Sequence, residues 1–335
     1  MEPLNLEMID AGPILTDLRS SIQTFHVSGT VYLSPLSADT AGNPSATTLG
    51  MEAFGIGEFI LPELLQILGI RSLTLSRQHD LTPLANLPFD MSNVASERFL
   101  WHYLRNDAVI GELRALFRHC RTIAFDNWSS LIGASDLWNG LLIDVIKPIE
   151  KKDFEFIFYL GDPLTKLSFQ VDEALDIISD FSLYGQVTFA LDEEEAGKLW
   201  MVLNGVRADT PVAHQTAPDL NRKYLSIFRT MKVTRLLIYS ATNAVLFAKQ
   251  QQFVLARRKV AQTTEMAMNA RQNFIAGFSI GLLLQLDMAH CLALGLVVFE
   301  ILGEQKVFLN KENLLEYIGQ WINDLQKPET IYLYQ

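Results

Sequence analysis

A short segment, residues 266–278, carries the side chains with the clearest potential for chemistry in this sequence. It reads MAMNARQNFIAGF and leads directly into the apolar segment SIGLLLQLDMAHCLALG. Small residues that open a helix let several backbone N–H groups point at one position, and the helix dipole adds partial positive charge there. Such a helix start can stabilise the charge on a phosphoryl group during its transfer. Arg271 could also hold an anion at this position.

The same segment resembles the C-terminal signature of the ribokinase-like (PfkB) carbohydrate kinases, D-T-x-G-A-G-D-x-F-x-A-G-F. Its second half, FIAGF, fits the signature, whereas Asn269 and Arg271 stand at the two glycine positions and Gln272 stands at the aspartate position. The resemblance implies that Asn269, Ala270 and Arg271 form the phosphate loop and that Gln272 occupies the place of the catalytic base. Arginine cannot freely adopt the positive φ angles open to glycine. Glutamine cannot accept a proton near neutral pH, and losing a positioned base costs roughly 10²–10⁴ in rate.

A second similarity to the family lies in the segment FALDEEEAGKLW, which resembles its N-x-x-E element. Asp192 stands at the Asn position and Glu195 at the Glu position. The resemblance implies that these side chains help to position magnesium and phosphate, and a carboxylate in place of an amide keeps an oxygen ligand. The alternative is that DEEEA is simply an acidic helix N-terminus that suits the helix dipole.

Two further similarities concern ligand contacts. Gly42 and Asn43 resemble the end of the family's GGN loop, which implies that Asn43 binds a sugar hydroxyl. The alternative is an Asn-Pro turn that starts a helix. Asn243 stands where family members carry a Gly-containing turn beside the nucleotide. Because asparagine can adopt a left-handed turn conformation, the hairpin at this point is expected to survive.

The composition indicates a compact globular protein without a strongly basic surface. The chain has 335 residues, of which 49% are hydrophobic and 19% charged, and its net charge is −11. This charge argues against nucleic acid or an anionic membrane as the main partner. The basic run Arg257, Arg258 and Lys259 is predicted to be a solvated face. The six histidines lack ligand spacing, so no dedicated metal site is expected.

Several features predict a cytoplasmic protein. The first residues are acidic and lack the basic and apolar regions of a signal peptide. The apolar stretch 274–302 is interrupted by polar residues that include Gln285, Asp287 and Glu300, so no membrane span is expected. The two cysteines, Cys120 and Cys291, lie in apolar contexts and are predicted to be buried free thiols.

From about residue 71 onward, short strand-like runs alternate with amphipathic segments. The strand-like runs are RSLTLS, RTIAFDNW, EFIFYLGDP, QVTFAL, TRLLIYS and AVLFAKQ. This alternation predicts an α/β fold in which a mostly parallel sheet is covered on both faces. The resemblance implies a ribokinase-like three-layer αβα sandwich, with residues 1–335 as a single domain. A small N-terminal β lid is expected within about residues 20–45, with residues 75–100 as a second contributor. Gly277, Gly281 and Gly295 are expected to allow close packing of two apolar helices on the sheet.

Three functions remain open from the sequence. The first is a PfkB-like, catalytically impaired pseudokinase that binds a small sugar-like ligand or a protein partner. The second is an active ATP-dependent sugar or nucleoside kinase whose base is relocated to Asp192, Glu195 or Glu265. The third is a non-catalytic oligomeric scaffold, for example a homodimer that pairs through the lid. ATP and Mg²⁺ are the cofactors implied if the protein is active, and no nucleic-acid or membrane partner is expected.

Overall fold

The architecture is taken from a computed structural model of the chain. It describes residues 5–24, 30–33, 50–54, 71–74, 101–125, 128–130, 133–206, 217–249, 251–258, 270–304 and 311–327. Within these ranges, ten strands are present: β1 (Asn5–Met8), β2 (Thr30–Leu33), β3 (Gly50–Phe54), β4 (Arg71–Thr74), β5 (Cys120–Phe125), β6 (Phe154–Tyr159), β7 (Gly185–Asp192), β8 (Arg235–Tyr239), β9 (Asn243–Ala248) and β10 (Gln251–Ala256).

The described α-helices connect or cover these strands. They are α1 (Ala11–Thr24), α2 (Trp101–Leu104), α3 (Asp107–His119), α4 (Ala134–Gly140), α5 (Lys147–Ile149), α6 (Ser168–Phe181), α7 (Glu193–Leu203), α8 (Ala217–Met231), α9 (Ala270–Leu283), α10 (Met288–Glu304) and α11 (Lys311–Leu325). A π-helical stretch, Leu141–Ile146, joins α4 to α5.

Eight of the strands form one sheet in the order β1-β10-β9-β8-β7-β6-β5-β3. Five of its seven neighbouring pairs are parallel, and only the β8-β9-β10 meander is antiparallel. Strand β1 pairs with β10, so residues near the start of the chain lie beside residues 251–254. The predicted mostly parallel sheet is therefore confirmed.

The sheet is buried on both faces, which explains the nearly continuous apolar runs of its strands. In β6, Phe154, Phe156 and Phe158 belong to the core beneath the helices from α2 to α8. The alternate residues Ile157 and Tyr159 belong to the core beneath α1, α9, α10 and α11. Because successive side chains of a strand point to opposite faces, the two cores are separate layers. The expected three-layer αβα sandwich is confirmed.

Helices α9 and α10 approach each other closely at their glycines. A Cβ at Gly277 would lie 2.6 Å from the Leu294 carbonyl oxygen, and one at Gly281 would lie 2.8 Å from Cys291 Sγ. Gly295 faces the ring of Phe274 on the other helix. These glycines were expected to permit close helix–sheet packing. Their nearest neighbours show that they permit close helix–helix packing instead.

The basic run after β10 corrects a second expectation. The side chains of Arg257 and Arg258 are only 9% and 11% exposed, so they are not a solvated face. Arg257 Nε donates to Glu300 of α10 at 3.0 Å, and Arg258 forms an ion pair with Asp324 of α11. Charge spacing in the sequence did not predict these ion pairs because their carboxylates lie far along the chain. Lys259 lies outside the described residues.

Most of the expected lid also lies outside the described residues. Within it, residues 20–24 form the end of helix α1. Thr30–Leu33 pair in parallel with Arg71–Thr74 as a separate two-stranded sheet. Residues 75–100 are not described. Cys291 is a buried free thiol, as predicted. In the described part of the chain, no helix combines the length and apolarity that crossing a membrane requires.

Candidate functional site

The candidate site lies where three parallel strands end. Strands β6, β7 and β8 finish with Tyr159, Asp192 and Tyr239, and Asp192 is the register partner of Tyr239. In open α/β sheets, ligands bind at the carboxyl ends of the strands. The buried carboxylates of this edge are therefore the first groups to consider.

Asp192 and Glu195 bond to each other's backbone at the start of α7. Asp192 Oδ1 accepts from the Glu195 N–H at 2.8 Å, and Glu195 Oε2 accepts from the Asp192 N–H at 3.0 Å. This is a capping box, which satisfies N–H groups that a helix start leaves without helical partners. Both residues are 3% exposed. The structure brings the two predicted residues together and gives both a structural role.

Glu195 has a third contact that sequence reasoning missed. The Tyr159 hydroxyl donates a hydrogen bond to Glu195 Oε1. The two residues are far apart in sequence, and only the parallel pairing of β6 with β7 brings Tyr159 beside the start of α7. The carboxylate of Glu195 thus accepts hydrogen bonds on both of its oxygens.

A lysine ties α7 to the loop after β6. Lys198 Nζ donates to Asp162 at 2.6 Å and lies 2.7 Å from Glu194 Oε1. Burial lowers the pKa of Lys198, but the hydrogen bonds to Asp162 and Glu194 outweigh it, and the net pKa is raised. Lys198 therefore stays charged at neutral pH. Asp162 also accepts from the Leu164 N–H at 2.9 Å and so shapes the same loop.

The acidic start of α7 also acts on helix α8. Tyr224 of α8 is 6% exposed. Burial raises the pKa of Tyr224, and the charges of Glu193 and Asp192 raise it further. The phenol is therefore held in its neutral form beside the site.

The motif resembling the kinase signature reaches the same edge through an aromatic stack. Helix α9 begins at Ala270, so Ala270, Arg271 and Gln272 form its first turn. Only the backbone of these three residues is described, and Asn269 lies outside the described residues. Phe274, one turn into the helix, stacks on Tyr239 with ring centroids 4.7 Å apart and planes at 11°.

Asn273 is a polar residue of this turn that the sequence reading did not single out. It is 3% exposed, and its Oδ1 has no hydrogen-bond partner among the described residues. A buried acceptor of this kind costs free energy unless something donates to it. Its position directly after Gln272 is the signal that could have identified it.

The hairpin at Asn243 is present, but for a different reason than expected. Strands β8 and β9 pair antiparallel, and Asn243 is the first residue of β9. It does not have a positive φ angle. The Ser240 hydroxyl forms the turn instead, by accepting from the N–H groups of Thr242 at 3.1 Å and Asn243 at 3.2 Å. The expected survival of the hairpin is confirmed, and the expected left-handed Asn243 is wrong.

Two expectations about ligands concern sugar and metal. Gly42 and Asn43, the predicted sugar contacts, lie outside the described residues. Within the described residues, no group of three or more His, Cys, Asp or Glu side chains could hold a metal ion. Of the four carboxylate oxygens of Asp192 and Glu195, Asp192 Oδ1 and both oxygens of Glu195 already accept hydrogen bonds from the protein. With three of these oxygens engaged, the pair fits Mg²⁺ poorly.

Comparison with solved structures finds kinases of small molecules. One is the phosphofructokinase-2 of Escherichia coli in complex with fructose-6-phosphate, at 9% identity and TM-score 0.49, covering 88% of this chain and 99% of that one. A carbohydrate kinase from Agrobacterium tumefaciens has 14% identity and TM-score 0.47, with coverage of 88% and 97%. A phosphomethylpyrimidine kinase from Clostridium difficile has 10% identity and TM-score 0.46, with coverage of 81% and 98%.

No protein-family model matches the sequence, and no curated protein matches it. The solved structures similar to this chain include carbohydrate kinases, the class that the motifs of the sequence resemble.

Proposed function

We propose that this chain is a PfkB-like pseudokinase, impaired in phosphoryl transfer, that binds a small polar ligand at the carboxyl end of its sheet. The observation that carries the proposal is the set of hydrogen bonds that joins Tyr159, Asp192 and Glu195. Carboxylate oxygens that cap a helix start and accept from a buried hydroxyl are less able to hold a hydrated metal ion or to take a substrate proton. Their chemistry is that of a structural cap.

The first turn of α9 supports the same conclusion. Gln272 stands in it at the position where the resembling family has an acid, and an amide is not a base near neutral pH. A helix start can still bind an anion without any proton acceptor. Retained ligand binding and lost phosphoryl transfer are therefore compatible at this helix.

Asn273 favours a ligand that carries hydroxyl groups. Within the described part of the chain, its buried Oδ1 is an acceptor without a partner, and a sugar-like hydroxyl is a suitable donor. An apolar ligand would leave this oxygen unsatisfied, at a cost of about 1–3 kcal/mol. The proposed ligand is accordingly small, polar and rich in hydroxyl groups.

A relocated base is the competing explanation. Of its three candidates, Asp192 and Glu195 are held in the capping box, and Glu265 lies outside the described residues. The Oδ1 atom of Asp192 is already engaged by the Glu195 N–H that it caps. The geometry therefore favours the impaired enzyme over the active one.

The test is a phosphoryl-transfer assay with ATP, Mg²⁺ and a panel of sugars and nucleosides, run beside calorimetric titration of ATP and ADP. The wild type is expected to transfer phosphate at least about 10²-fold more slowly than an enzyme with a positioned base. Gln272→Asp restores the acid, and Gln272→Ala is its matched control. Substantial transfer by the wild type that survives Gln272→Ala and disappears in Asp192→Asn would overturn the proposal in favour of the relocated base.

A further inference from the structure

A buried polar cluster lies at the opposite end of the sheet from the candidate site. Thr122 of β5, Glu155 of β6, Thr188 of β7 and Arg235 of β8 lie on the face covered by α9 and α10. Thr122 and Thr188 are completely buried, Arg235 is 6% exposed, and the side chain of Glu155 is 15% exposed. Buried polar groups normally have hydrogen-bond partners, so each contact in this cluster has to be accounted for.

The guanidinium of Arg235 is only partly satisfied by protein. Its Nη2 donates to Glu155 Oε2, and its Nη1 lies 3.4 Å from Met288 Sδ at the start of α10. Its Nε has no hydrogen-bond partner among the residues that the structure describes. The hydroxyl of Thr188, the direct register partner of Arg235, has none either. Two unsatisfied groups on neighbouring strands thus lie side by side.

The shape of the guanidinium fixes where the missing partner must lie. Its Nε–H and one Nη2–H point from the same edge of the planar group, which is why carboxylates often accept both. Among the hydrogen bonds of the described residues, Glu155 accepts the one from Nη2. The acceptor for the Nε–H group therefore lies above β7, because Arg235 crosses that strand to reach Glu155 on β6. Thr188 is the β7 residue in register with Arg235.

We propose that a bound water molecule fills this position, accepting from Arg235 Nε and bonding to the Thr188 hydroxyl. A cation there would be repelled by the guanidinium, and an anion would be repelled by the Glu155 carboxylate. A neutral molecule that both donates and accepts hydrogen bonds therefore fits best. Buried waters typically make about three such bonds to groups that are otherwise unsatisfied. Gln186, the register partner of Glu155, is exposed, so the cluster lies next to solvent. The water joins β7 to β8 beneath α10.

The test combines thermal unfolding with a crystal structure at high resolution. Thr188→Ser and Thr188→Ala differ only by the hydroxyl. If the hydroxyl bonds to water, the Ser variant melts at a higher temperature than the Ala variant, and density for a water appears within hydrogen-bond distance of Arg235 Nε. If no water bonds to the hydroxyl, removing the hydroxyl is neutral or stabilising, and the melting temperature of the Ala variant equals or exceeds that of the Ser variant. That result, or a crystal structure in which Glu155 accepts from both Nε and Nη2, overturns the proposal.

Discussion

Asp192 is the N-cap residue of α7. Its backbone is extended, with φ −79° and ψ 170°, and its side chain accepts from the third residue of the helix. The sequence placed Asp192 and Glu195 correctly at a helix start and left open whether they bind a ligand or cap the helix. The reciprocal bonds could be predicted from their spacing of three residues. The bond from Tyr159 could not, because it depends on the pairing of β6 with β7.

The capping role can be tested by comparing two substitutions of Asp192. Asp192→Ala leaves helix N–H groups without a partner, and the free energy of unfolding is expected to fall by about 0.5–2 kcal/mol. Asp192→Asn keeps an oxygen that caps well and is expected to cost clearly less. Urea denaturation followed by circular dichroism measures both. Equal losses in the two variants would show that the charge of Asp192, and not its cap, stabilises this region.

The Tyr159 contact makes a separate prediction. Tyr159→Phe removes one donor to a buried carboxylate and is expected to lower the free energy of unfolding by about 1–3 kcal/mol. In Glu195→Gln the carboxylate is replaced by an amide, and the double variant measures the coupling between the two side chains. A Tyr159→Phe change within about 0.5 kcal/mol, as for ordinary surface substitutions, would contradict the bond.

At the scale of elements, α9 and α10 form the closest packed pair in the described core. Continuous apolar residues in both segments predicted two buried helices, and α9 and α10 confirm this. The hydrophobic pattern could not show which neighbour required the glycines, because both helices are apolar on nearly every side. Gly277 lies against the backbone of Leu294 and Gly295, which cannot move aside as a flexible side chain would.

The packing at Gly277 can be tested against a matched glycine elsewhere. Gly277→Ala places a Cβ 2.6 Å from the Leu294 carbonyl oxygen and is expected to destabilise the protein by about 1–3 kcal/mol. Gly197→Ala in α7 has no atom within 4 Å of the new Cβ, and it should stabilise by about 0.5–1 kcal/mol through helix propensity. Relative to the wild type, the unfolding midpoint is expected to fall in Gly277→Ala and to rise in Gly197→Ala. A neutral Gly277→Ala would mean that the two helices can separate without loss.

The contact between α7 and α8 predicts how stability changes at high pH. Burial raises the pKa of Tyr224, and Glu193 and Asp192 raise it further, so the folded state holds the phenol neutral. An unfolded chain releases this proton above about pH 10. Stability is therefore expected to fall as the pH rises beyond that value, because the unfolded state then binds fewer protons than the folded state. Urea midpoints at pH 8 and pH 11 measure the loss, which should be smaller in Tyr224→Phe. An identical loss in the variant would exclude Tyr224 as its source.

For the whole molecule, much of the layer architecture could be predicted from the alternation of apolar runs and amphipathic segments. Strands β5 to β9 lie where those runs were identified, since a strand covered on both faces is apolar at nearly every position. Strand β1 was not identified, because Leu6 and Met8 are 56% and 64% exposed and its four residues show no core pattern. Arg257 was misassigned for a related reason. A local sequence pattern shows which residues are neighbours along one helix or strand. Glu300, the partner of Arg257, is not such a neighbour.

The pairing of β1 with β10 has a consequence for how the chain is made on the ribosome. In the sheet as described, residues 5–8 pair with residues 251–254, and Leu15 and Leu18 of α1 belong to a core shared with α10 and α11. Until residues 251–325 have been synthesised, this early segment has neither a strand to pair with nor a layer to cover its apolar side. During most of its synthesis, the nascent chain would therefore expose Leu15 and Leu18 to water and to chaperones.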